Sequence, residues 1–242
     1  MRIPLFFASL VLLQIMFWNG ISLPFKGADG WQGTRHIQPS LGILNAPHSK
    51  TMANIVSFGD PQLYFRIRAL LLQNAGDTYG RFTSLKKYNY EYLKGWAFLM
   101  DELDHRSHYM PSLMSYIFGQ TPQTEDVIHV IEYLDHHASR DLQTKWWWMY
   151  QAVYLANSKL KDDELALSLA YKLASSDAET MPIWGKQLAA FIHEDRGEKE
   201  QARRFMQSII DNLEDIPEKE LNFMQYFIQE RLELIKESSV KE

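Results

Sequence analysis

Hydrophobic positions along this chain fall into three regimes. Over residues 1–23 they run almost unbroken, with Arg2 the only charged side chain. Over residues 24–59 they show neither the three-and-four spacing of a helix nor the alternation of a strand. From Asp60 onward they recur at helical steps. Leu63, Tyr64, Ile67, Leu70 and Leu71 form a first stripe. Asp60 can cap its free amides, Pro61 suits a first helical turn and Gly76 closes it. Tyr88, Tyr92, Trp96, Leu99 and Leu103 form a second stripe, and further amphipathic segments follow at about 112–119, 124–138, 143–158, 162–175, 182–195, 198–213 and 218–237. No segment alternates like a strand between hairpin turns. The pattern predicts an all-α body of nine helices over residues 60–242.

The leader can cross a bilayer. Residues 3–23 number 21, roughly 31 Å at about 1.5 Å rise each, against a hydrocarbon core of about 30 Å. It reads as a signal anchor, or as a signal peptide cut near the small residues Gly20 and Ser22. Either form keeps the positive start inside and exports the body, to the periplasm in a bacterium. The chain has no cysteine, which suits an oxidising compartment and excludes disulfide scaffolds, cysteine-ligated zinc and thiol catalysis. Residues 24–59 hold three Pro and five Gly in 36 positions and read as a flexible linker with a reach of roughly 35 Å.

The helical segments also repeat. Trp148 and Trp184, Ala152 and Leu188, and Ala166 and Ala202 are each 36 residues apart, and Pro182 and Pro217 are 35 apart. One period across four pairs predicts stacked antiparallel helix hairpins. Small Ala166 and Ala202 would sit where two helices approach, and the prolines would separate hairpins. Residues 181–217, with Trp184, Leu188, Phe191, Gly197, Ala202, Phe205 and Pro217, resemble a tetratricopeptide repeat. Residues 145–182 match more loosely through Trp148, Ala152, Ala166 and Ala170. The aromatic-to-alanine spacing of 18 is two longer than the family pattern. The resemblance implies a superhelical scaffold whose concave face grips a peptide or protein, with Trp184 as a hairpin core aromatic. A last helix with Leu221, Met224, Ile228, Leu232 and Ile235 on one face reads as the end-cap.

With 25 Lys+Arg against 30 Asp+Glu, a net charge of −5, the chain offers no basic field for nucleic acid. Glu125, His129, Glu132 and His136 fall on one helix face and could ligate zinc, although the same spacing describes a solvated surface. Asp101, Glu102, Asp104, His105 and His108 crowd one helix end, where general acid–base work and helix-dipole stabilisation are both open. HExxH, GxSxG, GxGxxG and P-loop strings are all missing from the sequence. No catalytic residue and no cofactor is expected. Trp146, Trp147 and Trp148 diverge by about 100° each on a helix, so two are expected in the core and one at the surface beside Lys145 as a partner anchor. Arg66, Arg68, Arg81, Lys86 and Lys87 form a basic cluster suited to anionic head groups or an acidic partner. The expected function is a non-enzymatic, membrane-tethered scaffold or adaptor that holds a protein or peptide in an envelope complex. The alternative is an envelope metal-dependent hydrolase built on the His, Asp and Glu clusters.

Overall fold

The computed structural model describes residues 44–76 and 83–232. The expected anchor over residues 1–23, the linker over 24–43, Arg81 and Ile235 lie outside the described residues. Ten α-helices and no strand occur among those that are described, so the body is all-α. The helices are α1 (Lys50–Val56), α2 (Pro61–Gln73), α3 (Tyr90–Leu103), α4 (Tyr109–Tyr116), α5 (Val127–Ser139), α6 (Leu142–Leu155), α7 (Asp163–Ala174), α8 (Ile183–Asp195), α9 (Lys199–Asn212) and α10 (Glu218–Tyr226).

Short polar side chains start most of them. Ser49, Asp60, Asn89, Asp141 and Asp162 precede α1, α2, α3, α6 and α7, and each accepts a hydrogen bond from a first-turn amide. Pro182 and Pro217 stand immediately before α8 and α10. After α8, Gly197 takes a φ of +73°, which lets the Glu198 amide reach the His193 carbonyl at 2.8 Å.

Residues 44–59 are folded, which corrects the linker expectation at its C-terminal end and adds a helix, α1. Leu44 is buried, and Trp96 Nε1 donates to the Asn45 carbonyl at 2.8 Å. His48 meets the Trp96 ring edge-on at 5.3 Å between centroids. A Cβ at position 95 would stand 2.7 Å from Pro47, so glycine there lets the segment lie directly on α3. Composition missed this because the order of 44–49 comes from docking on α3 and leaves no local period.

The α2 stripe is also corrected. Of its five predicted core residues only Tyr64 is buried, while Leu63, Ile67, Leu70 and Leu71 are exposed and Phe65, Ala69 and Leu72 face inward. This helix is apolar on both sides, so periodicity locates the helix and leaves its inner face open.

Consecutive helices from α5 to α9 pack on one another across short connections, and α3 packs on α5 and α4 on α6. Helices α3, α5, α7 and α9 begin at residues 90, 127, 163 and 199, spacings of 37, 36 and 36. Polar contacts follow the same interval. Ser115 Oγ donates to Gln151 at 3.0 Å across 36 residues, and Lys172 Nζ to Asp135 at 2.6 Å across 37. Arg231 grips Glu194 through two hydrogen bonds of 2.7 and 2.9 Å, again across 37. Ala166 and Ala202 each occupy the fourth position of their helix, α7 and α9, and are fully buried. Trp148 and Trp184 are less alike: one is the seventh residue of α6 and buried, the other the second residue of α8 and half-buried. Met224, Phe227 and Leu232 close the C-terminal end of the core.

Candidate partner-binding surface

Helix α6 starts at its Asp141 cap and then bends, because Lys145 leaves helical geometry at φ −113°, ψ 15°. Three indoles fan out from the next turn. Trp148 turns inward, 5% exposed, and its Nε1 donates to His108 Nδ1 at 3.2 Å. Trp146 is half-buried and donates to Thr180 Oγ1 at 3.1 Å. Trp147 remains 37% exposed and donates to the Tyr116 hydroxyl at 2.7 Å. Sequence spacing placed two of the three in the core; one is there, one is half in and one is out.

An aromatic layer extends from this fan over α4, α6 and α8. Trp147 lies 5.6 Å from Trp146 and 5.1 Å from Tyr150 between ring centroids, and Trp184 lies 6.1 Å from Trp146 and 5.0 Å from Tyr150. These separations lie within the range where edge and offset ring contacts attract. Exposed Tyr116 and Tyr154 lengthen the layer. Trp184→Ala is expected to cost about 2 kcal/mol, below the 3–5 of a fully buried aromatic, because part of the ring is already wet. Chemical denaturation would check this, and a loss of the full amount would mean the ring is more enclosed than its contacts show.

Lys145 does not belong to this surface. Its side chain is buried and Nζ donates to the His105 carbonyl at 2.6 Å, with the His137 carbonyl at 3.5 Å. The His137 carbonyl lies in the last turn of α5, where the backbone is electronegative and attracts a cation, and that of His105 in the turn just past α3. Burial lowers the Lys145 pKa from its usual 10.5. The same node contains buried Asp101 of α3, whose Oδ1 accepts from His137 Nδ1 and whose Oδ2 lies 3.2 Å from Arg140 Nε. Burial lowers the His137 pKa against the opposing pull of Asp101, and burial followed by the Asp101 charge drives that of Tyr133 well above 10. The node thus locks α3, α5 and α6 together. Asp101 meets His137, a partner that its sequence neighbours His105 and His108 did not suggest.

The remaining candidates are dispersed. Arg68 is drawn inward over the rings of Tyr64 and Trp96 at 5.3 and 5.5 Å, so it is no free partner contact, whereas Arg66, Lys86 and Lys87 are exposed. Glu132 pairs with Lys94, while His136 accepts from Arg140 at 3.3 Å and stacks edge-on against Phe98. Glu125 instead lines an open cleft of about 940 Å³ with Asp162, Asp163, Glu164, Arg196 and Glu198. Hydrogen bonding from His193, then Arg196, holds the Glu198 carboxyl below its usual range. Among the described residues no three His, Asp or Glu side chains converge as a metal site.

No family model, curated protein or solved structure matches this chain. Function has therefore to be read from surface chemistry. Ring faces and edges bind by area, shape and attraction to cations. The layer on α4, α6 and α8 groups an exposed tryptophan with Tyr150 and Tyr154 of its own helix and Tyr116 of α4.

Proposed function

We propose that this chain is a membrane-tethered, tetratricopeptide-like scaffold that holds a protein or peptide partner on the exported side of a membrane, without catalysis of its own. Alternate helices beginning every 36 or 37 residues, with alanines buried at matching positions, support stacked hairpins as the architecture. The unbroken apolar leader supports the tether. One observation carries the partner reading: Trp147 stays exposed in the aromatic layer while its neighbour Trp148 already fills the core. Rigid aromatics in such positions are the residues that dominate binding energy at interfaces.

Trp147→Ala is therefore expected to leave the fold intact, within about 1 kcal/mol of the parent, and to abolish partner capture by the full chain in mild detergent. Far-UV circular dichroism and denaturation would check the first part, and cross-linking in native membranes the second. Undiminished capture would remove the aromatic layer from the binding surface.

A further inference from the structure

Helix α2 carries more apolar surface than its packing uses. Leu63, Ile67, Leu70 and Leu71 lie within about 100° of one another on the side away from the core, and Ile67 is 50% exposed. Leu63 and Leu70 are likewise 53% and 55% exposed. Contiguous apolar surface of this kind marks a docking face. At 13 residues, about 20 Å, α2 is too short to cross a hydrocarbon core of about 30 Å. Its outer apolar face can bind a bilayer only by lying in the plane of the interface.

Charge indicates which interface. Beyond the leader, residues 24–89 hold eight basic against three acidic side chains, a net of +5, whereas residues 90–242 hold sixteen against twenty-seven, a net of −11. A second copy docking face to face would bring two positive ends together. An anionic bilayer would attract this end and repel the rest. Such a bilayer is also within reach. Only residues 24–43 separate the apolar run from Leu44, a distance of at most about 70 Å when extended and roughly 27 Å as flexible chain.

We infer that the outer face of α2 docks into the interface of an anionic lipid bilayer beside the leader, with Arg66, Lys86 and Lys87 at the head-group level. The inference rests on reading the leader as a membrane tether. It gives the α4–α6–α8 layer a fixed height above the lipid.

Because the chain has no cysteine, Ile67→Cys provides a single site for a spin label on the full-length protein, and Tyr226→Cys on α10 provides an exposed control. Both labelled chains, checked for unchanged helicity, are reconstituted into vesicles of phosphatidylcholine mixed with phosphatidylglycerol. The label at 67 is expected to collide more with oxygen, which partitions into lipid, than with a water-soluble nickel chelate, and the label at 226 to show the reverse. Charge reversal of Arg66, Lys86 and Lys87 to Glu should return the label at 67 to the behaviour at 226. A label at 67 that is water-exposed on vesicles that float overturns the docking and leaves the tether. Shielding of 67 from both reagents also overturns it, because a second copy or the leader then covers the face. Failure of the chain to float with vesicles overturns both. A label at Leu70→Cys repeats the measurement should the one at 67 disturb the helix.

Discussion

Replacing Trp96 with alanine is expected to cost about 4 kcal/mol of folding stability and to release residues 44–49 from the body. The indole is only 2% exposed and carries three separate attachments. Its Nε1 holds the Asn45 carbonyl, its ring edge meets His48, and Arg68 lies over its face at 5.5 Å. Truncation would remove buried ring area and cut the hydrogen bond that ties Asn45 to α3. The denaturation midpoint and amide exchange over residues 44–49 would report the two effects. A large stability loss with the segment still protected would mean that Leu44 and Pro47 anchor it alone.

Asp101→Ala is expected to be comparably severe, about 3–5 kcal/mol, because it removes a buried carboxylate that faces the buried cation Lys145 and an imidazole. Arg140 would lose its carboxylate at 3.2 Å, and Lys145, already buried against two carbonyls, its strongest compensating charge. Stability near this node also depends on acidity. Burial holds the folded His137 pKa below 6.5, so as the pH falls through that value the unfolded chain takes up its proton first. The stability contributed by the neutral ring is therefore complete above pH 6.5 and lost as the pH falls through the lower folded value. His137→Gln should flatten that part of the profile when midpoints are compared across the acid range. Parallel profiles for parent and variant would assign the acid sensitivity to other groups.

Helix positions were legible in the sequence to within a few residues, because capping residues and apolar spacing act locally. Asp60, Asn89, Asp141 and Asp162 mark four starts in the structure. The buried pair Ala166 and Ala202 was legible too, since close helix approach demands a small side chain at each repeat of the interval. Direction was not. The stripe on α2 points outward and Lys145 points inward, and in both cases the deciding contacts come from other helices. One unused signal was present all along. Asp101 and His137, Asp135 and Lys172, and Glu194 and Arg231 are acids followed by bases 36 or 37 positions later, and each pair meets in the fold. A search for complementary polar residues at the repeat interval, beside the apolar ones, would have found the node.

The fanned tryptophans limit what can settle on them. Thr180, Tyr116 and His108 already take the three indole protons, so an arriving molecule meets only carbon and delocalised electrons from these rings. Orientation on this face must then come from contour and from positive charge on the guest, and exchange of one flat or cationic side chain for another should be tolerated more readily than a change in bulk.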